Sequence, residues 1–141
     1  MLLMLEDDPD RLHRFSRILK KRLPNLEWKH WRSAHRMIEE SAPFLPKATL
    51  ISLDHDLDPW EGDNQDPGDG VILVRWLVNH KQSCPVIIHS SNRERSDWMA
   101  GELELAGWKY RRVAPIGEDW IEEYWIHIAR KLLARKSRKD R

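Results

Sequence analysis

The sequence contains a single cysteine, Cys84, among 141 residues, so an internal disulfide bond is excluded. It has no long apolar run, and the first apolar run ends already at Glu6. We therefore expect neither a signal peptide nor a membrane-spanning helix. The formal net charge is only +1, so no overall field attracts nucleic acid or a membrane surface. We find no internal repeat. A chain of this length can bury about 70% of its unfolded surface, so we expect one domain. The lone cysteine and the lack of a signal peptide lead us to expect a reducing, cytoplasmic compartment.

The charge that is present is unevenly distributed along the chain. Residues 54–69 carry seven acids and no Lys or Arg, and residues 58–69 form an unusually long loop. This loop is either a lid that packs Trp60 on a base or sugar, or a solvated loop that Trp60 anchors. Residues 134–141 are too polar to pack, so we expect a basic, frayed tail after a domain at residues 1–133. The tail could contact an RNA backbone weakly, although a helix end rich in Lys and Arg is the simpler interpretation.

Five apolar segments alternate with segments of helical pattern. The predicted strands are residues 1–5, 26–31, 48–53, 85–88 and 109–113. A first helix begins after Asp8 and stops at Pro24, a second runs from Ser33 towards Pro43, the next two are residues 71–80 and 92–106, and a last one opens at Asp119. Strands that alternate with helices through short links are typical of parallel βαβ units with right-handed crossovers. The pattern therefore predicts an α/β fold with a parallel sheet.

Three of the predicted strands end in polar side chains. Glu6 and Asp7 follow the first strand, Asp54 and His55 the third, and His89 the fourth. In open α/β sheets ligands bind outside the carboxyl ends of the strands, so we expect one shared crevice. Carboxylates suit a hard cation, and Glu6, Asp7 and Asp54 are the predicted ligands of magnesium or another divalent cation. Two alternatives remain: the acids cap helices, or His55 and His89 help to bind a transition metal.

Ser90, Ser91 and Asn92 directly precede the fourth predicted helix. Hydroxyls, an amide and free backbone N–H groups at the positive end of a helix dipole can bind phosphate. The alternative is ordinary helix capping by Ser91 or Asn92, and both roles can hold at once. The segment therefore indicates an anionic ligand without identifying it.

The order of these polar residues resembles the receiver domain of bacterial response regulators, over about residues 1–130. The resemblance implies a flavodoxin-like, doubly wound sheet of five parallel strands in the order 2-1-3-4-5. It also implies that Glu6 and Asp7 are a magnesium-binding pair, that Asp54 is the phosphoacceptor, and that the Ser90 hydroxyl contacts the phosphoryl group. Asp69-Gly70 is similar to the receiver Asp-Gly that opens the third helix.

Three features depart from the receiver pattern. Receivers end their fifth strand in Lys-Pro, whose ammonium pairs with the phosphoryl group, and this chain has Ala114-Pro115. The switch aromatic expected three positions earlier is Arg111. The third loop carries extra residues, 59–68, that a plain receiver lacks.

The segments LDHD, residues 53–56, and HSSN, residues 89–92, place a histidine beside the Asp and Ser positions. With the departures above, they make the sequence more similar to the cyclic-phosphate-processing receiver domains, a group in which a receiver-like fold is proposed to act on cyclic phosphate ends. The resemblance implies a divalent-metal-dependent hydrolase, a phosphodiesterase that acts on a cyclic phosphate of a nucleotide or RNA end.

Opening a cyclic phosphodiester needs a base to activate water and an acid to protonate the leaving oxygen, and imidazole suits both. We therefore predict His55 and His89, with Asp54, as catalytic residues. Neighbouring strand residues point to opposite faces, so either histidine can instead be a packed, hydrogen-bonded residue. Two other functions remain open: a phosphoacceptor receiver domain of a two-component system, phosphorylated on Asp54, and a non-catalytic module that binds a phosphate-containing ligand.

Overall fold

A parallel sheet forms the centre of the computed structural model, which describes residues 1–59 and 65–139, with side chains as far as Arg135. Its five strands lie in the order β2-β1-β3-β4-β5, which confirms the predicted flavodoxin-like fold. The strands are β1 (Leu2–Leu5), β2 (Trp28–Trp31), β3 (Leu50–Leu53), β4 (Val86–Ile88) and β5 (Tyr110–Arg112). Each is one or two residues shorter than its predicted segment. The predicted lid residue Trp60 lies outside the described residues.

Five α-helices connect and flank the strands: α1 (Pro9–Arg22), α2 (Ala34–Ser41), α3 (Gly70–Leu77), α4 (Arg93–Leu105) and α5 (Ile126–Lys139). A 3₁₀-helix, Ala42–Lys47, follows α2, and a π-helical turn, Ile121–Trp125, precedes α5. A side chain caps each of the first four helices by accepting hydrogen bonds from amides of the first turn. The capping side chains are those of Asp8, Ser33, Asp69 and Asn92. No helix in the described part of the chain is long and apolar enough to cross a membrane.

Two helices differ from the sequence-based prediction. Helix α3 ends at Leu77 rather than at His80, because the His80 amide donates to Leu77 three residues back and forms a turn. The regular part of the last helix begins only at Ile126, although Glu123 already donates its amide hydrogen bond to Asp119. That helix continues to Lys139, so the basic tail expected from Ala134 begins as helix.

The sheet is apolar on both faces. Leu3 and Leu5 of β1 face a core formed with α2, α3 and α4, whereas Leu2 and Met4 face a core formed with α1, the π-helical turn and α5. Strands β1 and β3 are buried throughout, as expected for central strands covered on both sides. The one polar side chain within β1 and β3 is Ser52, which is fully buried on the second face.

Candidate metal and phosphate site

Three carboxylates meet where β1 and β3 end. Leu5 pairs with Leu53 in the parallel ladder, and the Asp54 amide donates to the Leu5 carbonyl, so Glu6 and Asp54 leave the sheet at the same level. Each of Glu6, Asp7 and Asp54 offers an oxygen, and the three oxygens lie within 4.8 Å of one another. All three residues are buried, with Glu6 0% exposed. The structure thus brings together the three predicted metal ligands.

Backbone amides orient these carboxylates. Glu6 Oε2 accepts hydrogen bonds of 3.0 Å from the amides of Asp7 and Asp8. Asp7 Oδ2 accepts one of 2.6 Å from the Asp58 amide, and Asp54 Oδ1 accepts one of 2.8 Å from the His55 amide. One oxygen of each carboxylate is therefore held by the chain.

Ionisation of the three acids is disfavoured, because each carboxylate is removed from water and lies beside the other two. Burial, reinforced by the charge of Glu6, raises the pKa of Asp54 to about 8. Burial also raises the pKa of Asp7. Burial acts on Glu6 in the same sense, but the hydrogen bond and charge of His89 outweigh it, so the pKa of Glu6 is lowered. A cation at the three carboxylates would relieve this repulsion.

Arg11 is a site residue that the sequence reasoning missed. Its Nη1 atom lies 3.7 Å from Glu6 Oε1 and 3.7 Å from Asp54 Oδ2, and its guanidinium carbon lies 5.4 Å from the centre of the Trp120 ring. The available signal was its position three residues after the cap Asp8, because a helix that begins directly after β1 must carry its first turn past the acids. Among the side chains that the structure describes, Arg11 supplies the positive charge nearest to Asp54.

His89 lies beneath the acids rather than in the crevice. Its ring is 0% exposed, packs against Phe15 and stacks on Trp120. Its Nδ1 atom lies 2.6 Å from Ser52 Oγ, and its Nε2 atom lies 3.2 Å from Glu6 Oε1. The ring has no exposed surface, and a catalytic role for His89 stays a prediction. The packed, hydrogen-bonded alternative is the one that fits.

A chain of hydrogen bonds runs through His89 to Glu6. Trp125 Nε1 donates to Ser52 Oγ at 3.0 Å, and Ser52 Oγ lies 2.6 Å from His89 Nδ1. Because the Glu6 carboxylate can only accept, His89 Nε2 carries a proton and donates it to Glu6. The chain fixes the direction of the Glu6 carboxylate.

His55 lies on the other side of the acids, between two carboxylates. Its Nδ1 atom lies 2.9 Å from Asp56 Oδ1. Its Nε2 atom is buried, has no hydrogen-bond partner in residues 1–59 and 65–135, and lies 3.7 Å from Asp69 Oδ2. Neither His55 nor His89 joins the cluster of candidate ligands among the described residues, so the structure does not favour the transition-metal alternative.

The segment from Ser90 to Asn92 joins the site to α4. Asn92 caps the helix through its Oδ1 atom, which accepts from the Arg95 amide at 3.0 Å. Its Nδ2 atom lies 3.4 Å from both carboxylate oxygens of Asp56, the residue that contacts His55. Ser90 is buried and accepts from the Asn92 amide, whereas Ser91 is exposed. The capping alternative thus holds for Asn92, and phosphate binding by these residues stays a prediction.

Gly70 allows α3 to start directly against the end of β3. Its amide donates to the His55 carbonyl at 3.1 Å. A Cβ atom at this position would lie 2.5 Å from the Asp54 carbonyl oxygen and 2.9 Å from the His55 Cα atom. Only glycine fits here, which explains the Asp69-Gly70 pair that the sequence shares with receivers.

Comparisons with known proteins agree with this geometry. A sequence model described as the cyclic-phosphate processing receiver domain matches residues 1–105. No curated protein matches the sequence.

Solved structures similar to this chain include receiver domains and response regulators of low sequence identity. The signal receiver domain of a LuxO repressor protein from Vibrio parahaemolyticus is 17% identical, with a TM-score of 0.67 over 99% of this chain and 93% of that one. The phosphorylated cyanobacterial phytochrome response regulator RcpA is 14% identical, with a TM-score of 0.64 over 95% and 94%. The CheX–CheY–BeF3–Mg complex from Borrelia burgdorferi contains a chain that is 13% identical, with a TM-score of 0.63 over 90% and 87%. The match of the sequence model over residues 1–105 shows that this chain belongs to the family of cyclic-phosphate processing receiver domains.

Proposed function

We propose that this domain is a divalent-metal-dependent hydrolase that opens a cyclic phosphate on a nucleotide or an RNA end. The observation that carries the proposal is the cluster of Glu6, Asp7 and Asp54, whose oxygens lie within 4.8 Å of one another. Membership of a family described by cyclic-phosphate processing supports the substrate class. The presence of magnesium in the complex from Borrelia burgdorferi supports the choice of metal.

The donor set fits magnesium. All three candidate ligands are carboxylates, and magnesium is usually bound by a few carboxylates, with water and phosphate oxygens as its other ligands. Their mutual repulsion adds a reason to bind a divalent cation, since burial and the charge of Glu6 both raise the pKa of Asp54 and of Asp7. When bound, the ion would polarise a phosphoryl oxygen and stabilise the charge that develops there.

We assign the proton-transfer role to His55. Its Nδ1 atom is engaged by Asp56, which leaves the Nε2 atom, unpartnered among the described residues, to accept a proton from an attacking water. The water oxygen forms a bond to phosphorus, one ring P–O bond breaks, and the proton held on Nε2 passes to the leaving oxygen. The product is a phosphomonoester. A single imidazole can act as base and then as acid, so the burial of His89 removes no required group.

The second candidate function is phosphorylation of Asp54. The position of Asp54 at the end of β3 in a receiver fold favours it. Against it, the receiver lysine is replaced by Ala114, and the cation nearest to Asp54 is Arg11 from a different element. Binding of a phosphate-containing ligand without turnover is the third candidate, and it uses the same carboxylates.

We also propose that the basic residues from Ala134 onward contact an RNA backbone weakly. Such contact depends on counterion release and is independent of base sequence.

The test is a product assay on a 2′,3′-cyclic nucleotide with His55→Ala and His127→Ala side by side. His127 lies exposed on α5 and serves as the matched control. Loss of a general acid or base costs ~10²–10⁴-fold in turnover, so His55→Ala should lose activity by that factor while His127→Ala keeps it. Equal turnover of the two variants would remove His55 from the mechanism.

A further inference from the structure

A cavity of about 480 Å³ opens between the start of α4 and the segment that follows β5. Its walls include Ile88, Ser90, Ser96, Val113, Ala114 and Ile116. None of the three candidate metal ligands lines it, so it is a space separate from the carboxylate cluster. Its volume lies within the range of ~300–1,000 Å³ that is typical of small-molecule sites.

The cavity adjoins the carboxylate cluster through Ser90. The His89 amide donates to the Leu53 carbonyl, so the residues after β4 continue beside the end of β3, where Asp54 lies. Ser90 is the next residue, is buried, and lines the cavity. A phosphate bound near Ser90 would therefore have the rest of its molecule directed at this space.

The walls combine three kinds of chemistry. Ile88 and Val113 are buried and apolar, and Ile116 is 75% exposed, which leaves an apolar surface uncovered. The hydroxyls of Ser90 and Ser96 are polar points within it. Charged side chains also line the cavity, namely Arg93, Arg112 and the carboxylate of Asp97.

The two arginines differ in their pairing. Arg112 donates to Asp97 at 2.6 Å, so its charge is compensated. Arg93 has no ion pair among the described residues and lies in the first turn of α4. An uncompensated cation next to hydroxyls and an apolar wall suits a ligand that is anionic at one end and flat and apolar at the other.

We infer that this cavity binds the nucleoside that carries the cyclic phosphate, and that it determines substrate specificity. The inference rests on the proposed function. Ala114 lines this space with a methyl group only, so a large side chain at this position would take up part of it. The base packs on the wall formed by Ile88, Val113 and Ile116, and Ser90 and Ser96 offer hydroxyls to the ribose or to the base edge.

Equilibrium binding tests the inference without turnover. The ligands are adenosine 3′-monophosphate, a trinucleotide that ends in the same 3′-phosphate, and glycerol 2-phosphate, which lacks a base. Each is titrated calorimetrically at millimolar magnesium against the unchanged chain, Ala114→Trp and Ala106→Trp. Ala106 is exposed at the opposite end of α4, so its variant controls for the added indole.

The unchanged chain and Ala106→Trp should bind the nucleotide at least tenfold more tightly than glycerol 2-phosphate. In Ala114→Trp this ratio should fall towards one, because the indole fills the cavity. Equal affinity for the two ligands in the unchanged chain, or a ratio that survives in Ala114→Trp, would overturn the inference. Trinucleotide binding as tight as that of the nucleotide supports an RNA end as the source, and binding of the mononucleotide alone supports a free nucleotide.

The outcome for the proposed function is separate. A nucleotide preference that Ala114→Trp removes, found in a protein that opens no cyclic phosphate, would support the cavity as a nucleoside site and reject the hydrolase.

Discussion

Replacing Asp54 by Asn should stabilise the metal-free domain and remove much of its dependence on pH. Asparagine keeps the oxygen that accepts the His55 amide but cannot ionise. The groups that face Asp54 are Glu6, Asp7 and the Arg11 guanidinium. The variant therefore removes one of three crowded acids and leaves the backbone contact in place.

The sign and size of the effect follow from the pKa of Asp54. Burial raises it from 3.8 to about 8, so the folded state holds the proton more tightly than the unfolded chain. Stability is therefore lost as the pH rises from 3.8 towards 8. At pH 7 roughly three pKa units have been crossed, and at ~1.4 kcal/mol per unit the loss reaches at most ~4 kcal/mol. Asp7, with a raised pKa, adds a loss in the same direction, and Glu6, with a lowered one, opposes it only at acidic pH.

The assay is a series of melting curves between pH 5 and pH 8 in chelator. The unchanged chain and Glu104→Gln, an exposed control on α4, should lose stability as the pH rises. Asp54→Asn should lose much less and at pH 7 should melt on the order of 10 °C higher, from a conversion of ~3 °C per kcal/mol for a domain of this size. Millimolar magnesium should reduce the difference by stabilising the unchanged chain. A variant that melts at or below the unchanged chain at every pH would refute the reasoning.

Two further predictions concern the support of the site. Gly70→Ala should lower the free energy of unfolding in urea by ~1–3 kcal/mol and weaken magnesium binding, because its Cβ would press on the Asp54 carbonyl. Gly101→Ala, in open space on α4, should instead raise the free energy of unfolding by ~0.5–1 kcal/mol. Equal effects of the two alanines would contradict the close approach. His89→Phe keeps the ring packing but removes the donor to Glu6, and should lower magnesium affinity ~10–100-fold by calorimetry. Unchanged affinity would show that the hydrogen-bond chain does not position Glu6.

The fold and the meeting of the three acids could be predicted from the sequence. Apolar strands alternating with helices fix a parallel sheet, and parallel strands end at one edge. Once β1 and β3 are neighbours, Glu6 and Asp54 must therefore lie close together. The Asp69-Gly70 pair was also informative, because the close approach of α3 to Asp54 requires a residue without Cβ.

The directions of the two histidines could not be predicted. Each follows directly on its strand, and a change of one residue in where the strand ends reverses the face to which a side chain points. The His89 amide still continues the ladder by donating to Leu53, which places its ring under Glu6. His55 lies past the end of β3, and its carbonyl accepts the amide hydrogen bond of Gly70.

Arg11 and the cavity could not be predicted from the sequence for a different reason. Both depend on packing between elements that are distant in sequence. Arg11 reaches the acids by lying along Trp120, which directly precedes the π-helical turn and comes more than one hundred residues later in the chain. The cavity lies between α4 and the segment after β5, and Ala114 was visible only as a missing lysine.

The measurement that tests the central claim most directly is the fate of a 2′,3′-cyclic nucleotide, followed by phosphorus NMR with magnesium and with chelator, beside labelling by acetyl phosphate. Ring opening should occur only with the divalent ion, should be lost in Asp7→Asn, and should be accompanied by little stable labelling of Asp54. Robust labelling of Asp54 without ring opening would contradict the account and identify a phosphoacceptor domain.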